Sequence, residues 1–313
     1  MGLAVELDGV RKAFAARALD PEVVAVDGLS LAVTEGEAFG FLGRNGAGKT
    51  TSVKIMLGMI PRYEGSARLF GVDARCPRSR AGVGYLSETP AFPSHLRARE
   101  VLSLHGRLTG LRTAEARRRA GELLDALDLA AVADRTVRTF SKGMLQRLGI
   151  AVALVGTPRL VFLDEPTANL DPVGRRQVKD LLLGLRRQGT TVFLNSHILS
   201  EIEMTCTRVA IMSEGRLLRE GTVDELTQVS HYVHIGVTPI SDALLSALRE
   251  HFPDARIVDQ HIVAGIDSES EMDPIPRIVE RHGAGLRYLA MESESLESVF
   301  LRTVGAAEEA TDP

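Results

Sequence analysis

Gly43-Arg44-Asn45-Gly46-Ala47-Gly48-Lys49-Thr50 carries the spacing G-x-x-x-x-G-K-[ST]. Residues of these types at this spacing suit phosphate chemistry. The glycines let the backbone curl so that successive N–H groups point inward at oxygen atoms. A helix opening at Lys49 adds its positive N-terminal end. Lys49 would reach the outer phosphates of a nucleoside triphosphate, and the Thr50 hydroxyl, followed by Thr51, is of the type that ligates Mg²⁺. A second cluster lies at Leu160-Val161-Phe162-Leu163-Asp164-Glu165, an apolar run that ends in two carboxylates. In α/β sheets the strand ends are where ligands bind. Asp164 is therefore expected to hold Mg²⁺ through water, opposite Thr50. Glu165, on the other side of the strand, could polarise an attacking water. An acidic pair at a strand end is by itself a weak signal, and the phosphate loop gives it weight.

These residues need elements to hold them. Ala38–Leu42 reads as a buried strand leading into the loop, with a helix from Lys49 to about Gly58 behind it. Val5–Leu7, Leu29–Val33, Ser66–Phe70 and Val83–Leu86 read as further strands. Arg97 to Leu127 is expected to be helical with a break near Gly110, and Ser141 caps a helix running to about Val155. Strict alternation follows: strand Leu160–Leu163, helix Val173–Arg187, strand Thr191–Asn195, helix Leu199–Cys206, strand Val209–Met212. That order implies a parallel sheet covered on both faces. Beyond Gln228 the pattern becomes βαββαβ, the order of a small ferredoxin-like unit. A last helix, Ser295–Arg302, and an acidic tail follow.

Composition sets limits. The chain has 313 residues, with 37 basic against 41 acidic side chains and a formal charge of −4, which disfavours a protein that coats phosphate backbones. Its two cysteines, Cys76 and Cys206, are far apart, so neither a disulfide framework nor a cysteine-rich zinc site is expected. No signal peptide is read at Met1–Val10, and the most apolar short run, Leu148–Val155, is about half of the ~20 residues a membrane helix needs. Tryptophan is absent, and Lys12, Lys49, Lys54, Lys142 and Lys179 are the only lysines.

With these motifs in this order, residues 4–228 resemble the nucleotide-binding subunit of ABC transporters. Phe140-Ser141-Lys142-Gly143-Met144-Leu145-Gln146-Arg147 is similar to that family's signature motif, Ala168-Asn169-Leu170-Asp171 to its D-loop, and His197 to its switch histidine. Gly84-Tyr85-Leu86-Ser87-Glu88 occupies the place of its Q-loop, and Phe14 that of the aromatic that stacks on adenine. The resemblance implies an α/β P-loop NTPase fold over residues 1–228: a mainly parallel sheet core, antiparallel β structure, and a helical subdomain at about 89–157. It also implies an α+β ferredoxin-like accessory domain at 229–305, with a disordered tail at 306–313.

It further implies ATP and Mg²⁺ as ligands. Two cassettes would close head to tail, each ATP lying between the phosphate loop of one chain and Ser141, Lys142, Gly143 and Met144 of the other. His197 would hold the γ-phosphate and attacking water, Glu88 would join Thr50 and Asp164 at the metal, and the Asp171 loop would couple the two sites. A separate membrane permease, docking near Phe92 and Leu96, would place the chain at the cytoplasmic face of the cell membrane. Two positions depart from the family pattern: Lys142 stands where Gly is usual and Glu88 where Gln is usual. The Leu296–Phe300 segment resembles the terminal motif of export-type members, so an exporter's ATPase is the leading expectation and no nucleic-acid partner is expected. The alternative is a soluble ABC-type ATPase acting on ribosomes or DNA, disfavoured by the charge and by the single cassette. A non-hydrolysing regulatory cassette is disfavoured by intact Lys49, Asp164, Glu165 and His197.

Overall fold

The computed structural model describes residues 2–15, 22–227, 231–266, 268–293 and 295–309. The chain forms two compact units, one built on Met1–Gly221 and one on Thr222–Gly305.

Two sheets make the first unit. An antiparallel sheet contains β1 (Leu3–Phe14), β2 (Val23–Thr34), β4 (Glu64–Leu69) and β5 (Val72–Asp73) in the order β2-β1-β4-β5. The second sheet contains β3 (Ala38–Gly43), β6 (Val83–Leu86), β7 (Leu160–Asp164), β8 (Thr191–Asn195), β9 (Arg208–Ser213) and β10 (Arg216–Thr222) in the order β10-β9-β3-β8-β7-β6. From β9 to β6 every pairing is parallel. Every residue of β3, β7 and β8 is buried, which is why these strands read as unbroken apolar runs rather than as alternating ones. One core joins the sheets: Val5, Leu7 and Leu31 of the antiparallel sheet pack in one cluster with Phe39, Phe41, Phe162 and Phe193. Phe193 is the hub, with ring centroids 5.6 Å from Phe39, 5.4 Å from Phe41 and 5.1 Å from Phe162.

Among the described residues, the α-helices of this unit are α1 (Lys49–Met56), α2 (Ala98–Leu108), α3 (Thr113–Ala126), α4 (Lys142–Leu154), α5 (Pro172–Arg187) and α6 (Leu199–Thr205). The expected break near Gly110 separates α2 from α3, and Gly110 takes the left-handed conformation there (φ 97°). Helices α2, α3 and α4 pack on one another within the 89–157 segment.

The second unit holds α7 (Val223–Thr227), β11 (His231–Thr238), α8 (Asp242–His251), β12 (Arg256–Val258), β13 (His261–Ile266), α9 (Ile275–Arg281), β14 (Gly285–Ser293) and, as far as Gly305, α10 (Leu296–Glu309). Its sheet runs β12-β13-β11-β14, antiparallel throughout, which is the ferredoxin-like arrangement of a βαββαβ chain. Val233 and Ile235 of β11 meet Leu244, Leu248, Ile275 and Val279 of α8 and α9 in a separate core.

Some elements depart from the expectation. Strand β10 was not read from the sequence; Glu214 and Gly215, both at positive φ (48° and 80°), turn β9 back into it as a two-residue hairpin. The chain divides between Gly221 and Thr222 rather than at 228/229. Helix α10 continues through Glu309, into the segment expected to be a disordered tail, because Ala306, Ala307, Glu308 and Glu309 are good helix formers and no proline interrupts them. Residues 310–313 of that tail lie outside the described residues. Phe193→Ala, which opens a void at the hub of the shared core, should destabilise the first unit by about 3–5 kcal/mol in urea unfolding; a change below about 1 kcal/mol would contradict that packing.

Candidate functional site

The phosphate loop connects the end of β3 to α1. Gly48 is the N-cap of α1 and has φ 99°, and Gly46 has φ 87°. Glycine is needed at 48 for two reasons: the left-handed conformation, and a Cβ that would lie 2.1 Å from the carbonyl oxygen of Ala25. At Gly43 a Cβ would lie 2.5 Å from Met212 O. Lys49 is only 7% exposed, and its Nζ donates to Gly43 O at 2.5 Å and Arg44 O at 3.1 Å. The loop thus folds around its own cation. Burial lowers the Lys49 pKa, while Glu165, Asp164 and Glu88 act in the opposite sense. Thr50 and Thr51 follow in the first turn of α1, partly buried.

Across β8 from the loop strand lies the end of β7. Asp164 is 3% exposed. Its Oδ1 accepts from Asn195 Nδ2 at 2.5 Å, and its Oδ2 is buried with no hydrogen-bond partner among the described residues. Burial pushes its carboxyl up to about 6, with Glu88 and Glu165 adding to the shift and Asn195 and Lys49 opposing it. Burial first, then Asp164 and Glu88, push the Tyr85 hydroxyl up to about 12. An orphaned carboxylate oxygen in an acidic surround, with a threonine hydroxyl in the first turn of α1, is the hard-oxygen donor set that suits Mg²⁺. Thr50, Asp164 and Glu88 therefore fit that ion.

Glu165 has φ 50°, an uncommon conformation for a non-glycine residue, so its surroundings must hold it. Its backbone N–H donates to Asn195 O at 2.8 Å. Its side chain meets His197 twice: the His197 backbone N–H donates to Oε1 at 3.0 Å, and His197 Nδ1 lies 2.8 Å from Oε2. The two residues expected to act on the same water are therefore in direct contact. With Nδ1 against the carboxylate, Nε2 is the ring nitrogen left to meet a ligand. Asn45, Glu88, Lys142, Glu165 and His197 all line one cavity of about 520 Å³, joined by Gln146 and Asn169.

A second cavity, of about 620 Å³, opens at the start of α4. Ser141 caps that helix, its Oγ accepting from Met144 N–H at 3.2 Å. Ser141, Lys142, Gly143, Met144 and Asp171 line this cavity, and all of its lining residues fall within 128–171, so none comes from the phosphate loop. At Gly143 a Cβ would lie 2.9 Å from Asn169 O, which explains why the chain needs glycine there. Asp171 also acts locally. Its Oδ1 accepts from Gly174 N–H at 3.0 Å and caps α5, and Arg147 Nη2 lies 3.5 Å from the same oxygen. Phe14 ends β1 on the antiparallel sheet. It is 42% exposed rather than a core residue, with Lys12 Nζ 4.8 Å from its ring centroid. Residues 16–21, which follow it, lie outside the described residues. Phe92 is half buried, edge-on to His105.

Sequence reasoning missed Asn195, Gln146, Arg147 and the Thr167–Glu201 hydrogen bond of 2.6 Å. Asn195 had a readable signal: a polar residue closing a buried strand, in register with Asp164. The others bond across 19 or more residues of sequence, which spacing does not disclose.

The family profile described as ABC transporter matches residues 26–168. The chain is 44% identical over 220 residues to an uncharacterized ABC transporter ATP-binding protein of Nostoc sp., a match covering 69% of this chain and 65% of that relative, so it spans just under two thirds of that relative's length. It is 39% identical over 296 residues to the daunorubicin/doxorubicin resistance ATP-binding protein DrrA of Streptomyces peucetius, covering 90% of this chain and 88% of DrrA. Among solved structures, the ATP-binding subunit of an ABC transporter aligns with a TM-score of 0.66 at 29% identity, over 72% of this chain and 92% of that one. The chain belongs to the ABC transporter family, among its ATP-binding proteins.

The Asp164 shift makes a testable claim about stability. A carboxyl whose pKa is raised by folding favours the native state fully below its unfolded value of 3.8, and that contribution is lost as pH rises through about 6. In metal-free solution Asp164→Asn, whose amide oxygen can still accept from Asn195, should match wild type near pH 4 and exceed it by roughly 2–3 kcal/mol above pH 7. Denaturant titrations across that range check this; a difference that does not grow with pH would contradict the burial of an unpaired charge.

Proposed function

We propose that the chain binds ATP and hydrolyses it to ADP and phosphate, and that this reaction drives export through a separate membrane permease. The observation that carries the reading is the Glu165–His197 pair, held at the strand end that also carries Asp164 and facing the cavity that Asn45 of the phosphate loop lines. The phosphate loop N–H groups and Lys49 bind the triphosphate. Thr50, Asp164 and Glu88 hold Mg²⁺, which supplies charge neutralisation at the phosphates when bound. Glu165 accepts the proton of the attacking water, and His197 orients Glu165 through Nδ1 and its backbone N–H while Nε2 meets the γ-phosphate. Phe14 is assigned to the adenine face.

The open cavity at Ser141, built without any phosphate-loop residue, supports a head-to-tail pair of subunits. In that pair Ser141, Lys142, Gly143 and Met144 of each chain complete the nucleotide site of the other, with the α4 N-terminus directed at the γ-phosphate. Among the described residues no helix is long and apolar enough to cross a membrane. The reading therefore puts the transport path in a partner permease and this chain at the cytoplasmic face of the membrane. The name of the Streptomyces relative, a drug-resistance ATP-binding protein, supports the export direction. Residues 1–221 are assigned to the ATPase cassette and 222–305 to an accessory role.

Glu165→Gln should lose Mg²⁺-dependent ATPase activity by roughly 10²-fold or more while keeping ATP-dependent dimerisation, measured by phosphate release and by light scattering after size exclusion. Hydrolysis at the wild-type rate in that variant would remove Glu165 from its assigned role.

A further inference from the structure

Gln146 is 1% exposed, on the second turn of α4, and its side chain reaches out of the helix. Its Nε2 donates to the backbone carbonyl of Glu165 at 2.8 Å, across 19 residues of sequence. That carbonyl belongs to the residue at φ 50°, whose backbone N–H is tied to the end of β8 at Asn195 O. The two bonds clamp Glu165 from both sides. One runs to the central sheet and the other to the helix that Ser141 caps. Since Ser141 and Gln146 lie five residues apart on one rigid helix, about 7.5 Å of axial rise separates them. The next residue, Arg147, points elsewhere: its guanidinium lies 3.5 Å from Asp171 and donates to Asp128 Oδ2 at 3.2 Å. Adjacent side chains of α4 therefore hold the catalytic glutamate and the start of α5.

Resting on the ATPase reading above, we propose that Gln146 is a positioning residue. It ties the helix that receives the partner's nucleotide at Ser141 to the backbone of this chain's own Glu165, so that seating a phosphate at one nucleotide site sets the geometry of the hydrolytic group at the other. A carbonyl held at a left-handed residue is a sensitive point of control. Small movements of α4 tilt the Glu165 peptide, and the carboxylate moves with it relative to His197. Loss of the amide does not orphan the carbonyl, because Ala168 N–H also donates to it at 3.1 Å. The strut thus serves the setting of Glu165 more than the satisfaction of a buried acceptor.

The test compares wild type, Gln146→Met and Gln146→Glu. Methionine fills a similar volume without a donor, and glutamate keeps the shape but brings an acceptor to the carbonyl. In steady-state ATPase assays kcat should fall by roughly ten- to a hundredfold in both, the scale of a small misplacement at a reacting group. KM and the ATP concentration giving half-maximal dimerisation should stay within about twofold. Wild-type kcat in Gln146→Met overturns the proposal. So does a rise in KM or a lost dimer that accounts for the whole deficit, and so does failure of both variants to fold, which would make Gln146 a stability residue. An inactive wild type would instead sink the ATPase reading, and this inference with it.

Discussion

A dehydrated carboxylate at the end of a buried strand is the constraint on which the rest of this molecule depends. Removing a carboxylate from water costs several kcal/mol even after relaxation. Asp164 meets that cost with one hydrogen bond from Asn195 and leaves its other oxygen without a partner among the described residues. Lys49, the cation of opposite sign, is itself buried and directs its donors at its own loop. Neither charge is neutralised by the other in direct contact. The parallel sheet makes this arrangement possible by bringing the ends of β3, β8 and β7 side by side. On the ATPase reading, a triphosphate and a divalent cation would balance these charges together.

The same principle of holding against strain recurs one residue later. Glu165 occupies a conformation that costs about 1–3 kcal/mol for a non-glycine residue. Asn195 thus serves twice, with its side chain on Asp164 and its carbonyl on Glu165. His197 contributes both its backbone and its ring to the Glu165 carboxylate. Asx-type capping by Asp171 and the Arg147 contact extend this ordering to α5. Asp164, Asn195, Glu165 and His197 therefore share one short chain of polar contacts at the C-terminal ends of β7 and β8.

What the sequence disclosed follows from the range of the interactions involved. Strands Val83–Leu86 and Thr191–Asn195 were placed to the residue, because short apolar runs bounded by glycine and polar residues leave a local pattern. The phosphate loop was legible because its demands are backbone demands, which only glycine satisfies at Gly48. By contrast, β10 was missed since exposed Arg216 and partly buried Leu217, Leu218 and Arg219 show no clean alternation and no long apolar run. Phe14 could be assigned to the surface or the core only by the structure. The Gln146–Glu165 bond left no trace at all, for a glutamine inside a helix has the same local signature whether its amide faces solvent or a distant carbonyl.

The two departures from the family pattern acquire a shared meaning once placed in space. Glu88 adds a negative charge where an amide is usual, and Lys142 adds a positive one where there is usually no side chain. Had they lain on separate surfaces, each would have changed the charge around a nucleotide. Both line the same cavity of about 520 Å³, together with Glu165 and His197. Relative to the usual Gln and Gly, the two substitutions bring opposite charges, so the formal charge of that lining is unchanged.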